Sequence, residues 1–519
     1  MAPPLKPIIT ICGTTGVGKS KLAIELALHI AKRASSGASS TSSWPWRGAR
    51  IINADSMQVY RGMDIITNKV PESERHGVEH ALMSFKNPGE QYVVGQWVQD
   101  ALAVIDETHK RKEIPIIVGG TSYWIQHLIF PGRLSKSTPF TARESTSSSS
   151  SPSPSEVVPL SADLQNALSL LPQNLQDLWL NLPDVPFSAA EEPKSAMDLH
   201  QLLSGLDPDV ASRWHWCDTR KVFRSLGIIK EMGRRPSEII KEQSEEDVKP
   251  RHRFRTLCFW LYAEPDVLNP RLDARVDDMI KQGVLEELQE LHDLTQSPSS
   301  SEADYTLGIY QSIGYREFHT YLSLPPSQRT AESFTQATDL MKLSTRQYAK
   351  RQIKWIRNTL LPAAYGHKDM VKPYLLDATE LGEAWDVNVL GKGVGVTEGK
   401  GNTATLPRPF SLSPTAARLL DVPTKTTNPH STLLARRKTT CPICTTDPQQ
   451  PVMIEEGKEW ERHVKSRSHR SLAGKGRREA EAKAGMEEKR EARRRAREEL
   501  ERVGEGKEVG GGLREVLAG

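Results

Sequence analysis

Apolar positions in the first 130 residues come as short β-branched runs separated by helix-length stretches. Ile8-Ile9-Thr10-Ile11-Cys12 is such a run, followed by a glycine loop and a helical pattern over Lys21 to Ala31. Ile51-Ile52 and Ile114-Pro115-Ile116-Ile117-Val118 repeat it. Strand, loop and helix in that rhythm predict a parallel sheet flanked by helices, an α/β fold. Between them, 34–50 is Ser-rich and poor in aliphatic residues, so a surface insertion is expected. Residues 135–159 carry an uninterrupted Ser run and Pro-Ser repeats, a composition that cannot bury enough apolar surface to fold. The pattern turns helical over 160–246, for example Leu164 to Leu171 and Lys221 to Glu231. A strand is expected at Thr256 to Ala263, a long amphipathic helix at Arg271 to Leu291, and a further helix at Phe334 to Leu360. Past Glu383 the chain is rich in Gly, Thr and Pro and reads as a linker. It ends in a compact Cys/His segment and a charged tail from Gly474.

These breaks divide the chain into a first α/β core part (1–131), a Ser-rich and helical insertion (132–250) and a second core part (251–385). A linker (386–437), a small finger (438–472) and the tail (473–519) follow. No internal repeat is present.

Composition narrows the class. Hydrophobic residues make up 37% and charged residues 26%, with mean hydropathy −0.50, which suits a core plus much polar extra sequence. No run approaches the ~18 apolar residues of a membrane helix, so a spanning role is excluded. A net charge of +4 is too small to argue for a polyanion partner. Five cysteines without a signal sequence make no disulfide framework and point to a reducing compartment, the cytoplasm. The first glycine loop lies so near Met1 that no transit peptide is expected ahead of it, though an upstream start codon could supply one.

Gly13-Thr14-Thr15-Gly16-Val17-Gly18-Lys19-Ser20 fits G-x4-G-K-[ST], with the strand before and helix after that the motif requires. The glycines let successive N–H groups turn toward an anion at a helix N-terminus. Lys19 neutralises phosphate oxygens, and Ser20 can hold Mg²⁺. Nucleotide hydrolases pair this loop with an apolar strand ending in a metal-shell Asp. Here the buried strand ends instead in Gly119-Gly120-Thr121. The strand-end carboxylate is Asp55, in Asn53-Ala54-Asp55-Ser56-Met57-Gln58. Strand C-termini gather at the ligand crevice of such sheets, so Asp55 and Thr121 are expected to face the loop. That suits proton abstraction from an acceptor beside a bound diphosphate; a helix cap or Mg²⁺ ligand remains an alternative role for Asp55.

The chain resembles the tRNA dimethylallyltransferases (tRNA isopentenyltransferases), with a C-terminal extension like that of eukaryotic members. The resemblance is carried by GTTGVGKS (13–20), NADSMQVYRGMDIITNK (53–69), HALMSFKNPGEQYVVGQW (80–97) and PIIVGGTSYW (115–124). It continues through DTRKVFRSLGI (218–228), RLDARVDDMIKQGVLEEL (271–288), GIYQSIGYREF (308–318) and TRQYAKRQIKWIRN (345–358). Trp124 stands where the family usually has Tyr, and Ser225-Leu226-Gly227 replaces Ala-Leu-Glu. The resemblance implies transfer of a dimethylallyl group from dimethylallyl diphosphate to N6 of adenosine 37 of tRNA, beside the anticodon. The bound phosphates are then the leaving group, which accounts for the missing hydrolase Asp.

In that chemistry the loop amides, Lys19, Ser20 with Mg²⁺ and a distant Arg meet the growing charge on the diphosphate. Arg275 is the expected Arg, on a polar helical face with Arg271, Asp278 and Gln282. Asp55 accepts the proton of the amine. The adenine leaves the anticodon-loop stack; Gln58 has a two-sided amide suited to its edge, with Ser56, Met57 and Thr121 beside it. Arg346, Lys350, Lys354 and Arg357 fall within roughly 80° on a helical wheel opposite Tyr348 and Trp355, a basic stripe for RNA. Arg220, Lys221 and Arg224 form a second basic cluster, and His80 is assigned to packing or capping.

Cys441-x2-Cys444 is followed after eighteen residues by His463 and after five more by His469, a tetrahedral Zn²⁺ set with both imidazoles expected on one helix, Trp460 to Arg470. The surrounding sequence resembles matrin/U1-type fingers, with RNA affinity from Arg462, Lys465, Arg467 and Arg470. Lys475 to Arg502 has eleven Lys/Arg against eight Asp/Glu and is expected to be a partly helical exposed tail. Two other classes compete: a phosphate-loop kinase for a small molecule, and a nucleic-acid-binding module without catalysis. The expected enzyme is a monomer acting on tRNA and dimethylallyl diphosphate in the cytoplasm, with room for nuclear and mitochondrial pools.

Overall fold

The structure is a computed structural model. It describes residues 5–35, 45–131, 159–183, 185–246, 253–295, 308–398, 407–423 and 436–508. The expected disordered run at 135–159 lies almost wholly outside these. The chain forms two compact units: Met1–Pro139 with Glu245–Asn428, and Phe140–Ser244 with Pro429–Gly519.

The first unit is built on six parallel strands: β1 (Pro7–Gly13), β2 (Gly48–Asn53), β3 (His80–Ala81), β4 (Glu113–Val118), β5 (Arg255–Tyr262) and β6 (Val371–Asp377), in the order β3-β2-β4-β1-β5-β6. Side chains alternate between two faces, both covered. Cys12, Cys258 and Trp260 pack on one side, and Ile9, Ile11, Phe259 and Leu261 on the other. This is why the strands read as nearly continuous apolar runs. Register brings Ile11 beside Val118 and Asn53 beside Val118, so the loops leaving β1, β2 and β4 emerge level at one edge.

Three sequence expectations change. The helix expected over Arg271 to Leu291 is two helices, Pro265–Lys281 and Val284–Thr295, because Gly283 between them takes φ +97°. The Ser-rich insertion at 34–50 ends early: Trp46 packs on the core and β2 already begins at Gly48. The stretch read as a linker after Glu383 contributes short helices that bury Trp385, Val389, Val396 and Leu420. β6 was not foreseen, since Lys372 and Pro373 interrupt its apolar pattern. A proline is tolerated there because β6 is an edge strand paired only to β5.

The second unit packs helices Ala162–Ser169, Gln173–Leu180, Pro193–Leu206, Thr219–Met232 and Pro236–Glu246 around Leu199, Leu203, Leu226 and Ile229. A two-stranded ribbon, β7 (Lys438–Thr440) with β8 (Met453–Glu455), joins it: Lys438 N–H donates to Ser212 O at 2.7 Å, and Trp216 Nε1–H to Pro451 O at 2.9 Å. Helices Lys458–Val464 and Arg467–Glu508 complete this unit. No helix of the described residues is long and apolar enough to cross a membrane.

Candidate active site and metal cluster

The level ends of β1, β2 and β4 open into a cavity of about 700 Å³. One wall is the phosphate loop, from which Thr15, Gly16, Gly18, Lys19 and Ser20 line the space. Thr14 and Val17 are buried behind them. Gly18, at φ +84°, lies so close to Trp385 that a Cβ would sit 2.6 Å from the indole. Trp385 is locked in turn by donating Nε1–H to Glu25 at 2.9 Å. The supposed linker therefore backs the loop.

Two cations converge here. Lys19 Nζ donates to Thr14 O at 2.6 Å, and Arg275 Nη1 to the Thr15 hydroxyl at 3.1 Å. Burial depresses both, Lys19 to about 8 and Arg275 to about 10, against the opposing pull of Asp55. Neither forms an ion pair among the described residues, so desolvated positive charge is concentrated where an anion would enter.

Opposite stands Asp55, directly after β2. An Asx-type turn fixes its loop: Asp55 N–H donates to Asn53 Oδ1 at 3.1 Å, and Asp55 Oδ1 accepts from Met57 N–H at 3.0 Å. Its other oxygen faces Gly120, where an added Cβ would be 3.1 Å from it. Ser56, Met57 and Gln58 line the cavity as well. Both amide hydrogens of Gln58 are committed, to Thr67 O at 3.0 Å and Asn68 O at 3.1 Å, leaving Oε1 as its free recognition group. Thr121 does not line the cavity; its hydroxyl accepts from Ser56 N–H at 3.0 Å and donates to Ser56 Oγ at 3.2 Å, tying the two loops together. His80 lines the cavity with Nδ1 held by Val78 O at 2.8 Å, and burial lowers its pKa.

The helix Ala331–Trp355 presents two faces. Lys350 and Lys354 are exposed, and Arg346 pairs with Asp273. Thr345, Tyr348 and Gln352, at i, i+3 and i+7, line the cavity. Tyr348, read from sequence as packing, has its hydroxyl beside Gly120, and burial and the Asp55 charge raise its pKa. The loop after Gln58 is held by Lys69, whose ammonium donates to Tyr60 O, to Gly62 O at 2.6 Å and to Asp64 at 2.7 Å. Glu287 caps Ile65 and Ile66 N–H, each at 2.9 Å. Neither Lys69 nor Glu287 carried a sequence signal beyond lying in a matched segment.

In the second unit Arg220 and Lys221 are exposed on Thr219–Met232. Lys221 pairs with Asp218 at 3.3 Å and lies over Trp214, and Arg224 pairs with Glu231 at 3.3 Å. The ligand atoms of Cys441, Cys444, His463 and His469 all lie within 4.8 Å of one another. His469 Nδ1 is 3.5 and 3.4 Å from the two sulfurs and 3.2 Å from His463 Nε2. The histidines come from two helices, not one: six residues along a single helix would turn them about 240° apart, and the break at Lys465-Ser466 removes that mismatch. Two thiols and two imidazoles in this arrangement fit a four-coordinate metal site.

The IPP transferase family model matches residues 58–359. The chain is similar to tRNA dimethylallyltransferase of Schizosaccharomyces pombe (37% identity; 72% of this chain, 74% of that protein) and of Saccharomyces cerevisiae (32%; 92% and 94%). The human tRNA dimethylallyltransferase is 31% identical over 91% of this chain and 87% of its own. A solved eukaryotic dimethylallyltransferase acting on tRNA superposes with TM-score 0.67 at 29% identity, covering 93% of this chain and all of that one. A phosphate loop and a facing strand-end aspartate in one cavity, a family model that matches residues 58–359, and relatives that align over most of the chain lead to one conclusion: the chain belongs to the IPP transferase family.

Proposed function

We propose that this protein transfers a dimethylallyl group from dimethylallyl diphosphate to N6 of adenosine 37 in tRNA, releasing diphosphate. The observation that carries this reading is one cavity lined by Lys19 and Arg275, neither in an ion pair among the described residues, by Asp55, and by Leu272, Val276 and Met279. Apolar side chains beside a cationic cradle suit a prenyl diphosphate better than a nucleotide.

The diphosphate binds against the loop. As the allylic C–O bond lengthens, charge accumulating on its oxygens is stabilised by Lys19 and Arg275, which are already desolvated and need no reorganisation. The acceptor amine is a poor nucleophile until its proton has somewhere to go. Asp55, with Oδ1 occupied by Met57 N–H, has Oδ2 available to take it. Gln58 Oε1 can accept from an exocyclic N–H. Thr121 acts by holding the Asp55 loop. Ser20, a hard oxygen donor lining the cavity beside Lys19, would share a Mg²⁺ with the diphosphate. That ion would supply further neutralisation of the leaving group.

Lys350 and Lys354 on one helix, and Arg220, Lys221 and Arg224 on another, offer backbone contacts to tRNA. Cys441, Cys444, His463 and His469 would hold a structural Zn²⁺, all four positions being filled by protein. The enzyme acts as a monomer in a reducing compartment, the cytoplasm, consistent with its five free cysteines, and nuclear and mitochondrial pools are compatible with the same chemistry. The test is incubation with bulk tRNA and either radiolabelled dimethylallyl diphosphate or γ-labelled ATP. Label from the prenyl donor should enter RNA as N6-isopentenyladenosine; label from ATP alone entering any acceptor would overturn the reading.

A further inference from the structure

Group transfer requires the reacting carbon and nitrogen to meet within a fraction of an ångström of the productive geometry. In this cavity leaving group and acceptor are held by different loops. β1 and β4 stay in register as far as Ile11 beside Val118, with Gly119 N–H donating to Ile11 O at 3.2 Å. Beyond that the sheet no longer sets the phosphate loop against the loop at Gly120.

Gln352 spans the gap. Its Oε1 accepts from Thr15 N–H at 3.0 Å, and its Nε2 donates to Gly120 O at 3.0 Å. The residue is only 6% exposed. The contact is tight: a Cβ on Gly120 would lie 2.8 Å from Gln352 Nε2 and 3.1 Å from Asp55 Oδ2. One amide therefore touches the diphosphate loop with one end and the backbone beside Asp55 with the other.

We propose that Gln352 is a positioning residue, whose amide clamps the diphosphate loop to the acceptor loop and sets the distance across which the dimethylallyl group moves. The inference rests on the transferase reading above. It has a second consequence for the loop itself. The Thr15 N–H is committed to Gln352, so Thr15 serves the anion through its hydroxyl, which receives Arg275, and not through its amide. The same helix carries Lys350 and Lys354 on its opposite face, so the clamp is built into the element that offers the basic stripe.

Gln352→Met keeps length and volume but neither accepts nor donates. Gln352→Glu keeps the acceptor for Thr15 and loses the donor to Gly120 until its carboxyl is protonated. The measurements are the single-turnover transfer rate with labelled dimethylallyl diphosphate and saturating tRNA, the Kd of each substrate, and Tm. Gln352→Met should lower the transfer rate on the order of 10²-fold, with both Kd values within about threefold of wild type. Gln352→Glu should also be slow, and its rate relative to wild type at the same pH should recover as pH falls, because the protonated carboxyl again donates to Gly120 O. Wild-type rates in Gln352→Met, a loss carried wholly in substrate affinity, or failure of both variants to fold would each overturn the positioning role. Absence of transfer by the wild-type protein would instead remove the transferase reading.

Discussion

Removing the charge of Lys19 should make the substrate-free protein more stable and nearly inactive. Lys19 lies in the cavity wall with its ammonium bonded to Thr14 O and, among the described residues, in no ion pair. Burial lowers it from 10.5 to about 8, Asp55 pulling it up and Arg275 pushing it further down. Such a shift is roughly 3 kcal/mol of charge held against folding. The sign follows from the two states. An unfolded lysine keeps its proton up to 10.5, while the folded one releases it near 8. The penalty is thus complete below pH 8 and is relieved as pH rises from 8 toward 10.5. Lys19→Met removes it and forfeits one charge-assisted hydrogen bond, about 1.5 kcal/mol. The net gain is about 1.5 kcal/mol, or ~2 °C in Tm for a unit of more than 300 residues.

Thermal melts at pH 7 without ligand test the stability half. The catalytic half predicts a loss of ~10²–10³ in transfer, the scale for deleting one preorganised donor to a developing anion. Wild-type KM for dimethylallyl diphosphate should rise between pH 8 and 9.5, as the free enzyme loses the Lys19 proton, while Lys19→Met shows no such inflection. A Lys19→Met protein that melts lower than wild type without ligand, or a wild-type KM that stays flat to pH 9.5, would refute the reasoning.

Asp55→Asn retains an acceptor for Met57 N–H and should bind tRNA normally while losing transfer by ~10²–10⁴; ordinary turnover in that variant contradicts its role as base. Cys441→Ser should abolish stoichiometric zinc, measured by atomic emission, and loosen the ribbon to proteolysis while transfer stays measurable; unchanged zinc content removes Cys441 from the ligand set. Trp385→Ala empties a buried site behind Gly18 and should cost ~3–5 kcal/mol, read as a lower urea midpoint; an unmoved midpoint would show that the segment after Glu383 does not support the phosphate loop.

The parts legible in sequence are those whose chemistry demands fixed spacing. The phosphate loop needs its glycines and Lys19 within eight residues, and the metal cluster needs its thiols two residues apart. Asp55 was visible because a carboxylate at the end of a buried strand has few structural reasons to be there. What stayed hidden was determined by partners remote in the chain. Trp385 follows a Gly-poor stretch of ordinary composition, and only its contact with Gly18 explains it. β6 was hidden because edge position, a property of the whole sheet, licenses the Pro373 that breaks its pattern.

Tyr348 and Gln352 mark the boundary between these cases. The wheel over 345–358 correctly separates a basic face from an opposite one, and periodicity alone assigns the opposite face to the core. Core it is for Ala349 and Ile356, but Thr345, Tyr348 and Gln352 meet a cavity instead of packed side chains. A polar residue on an apolar face is the local clue, since a buried amide must find both a donor and an acceptor. Gln352 finds them in Thr15 and Gly120, more than 230 residues away in each case. Helical spacing says that such a side chain turns inward; only the parallel sheet, by bringing the ends of β1 and β4 level, says that what it meets there is the junction of two functional loops.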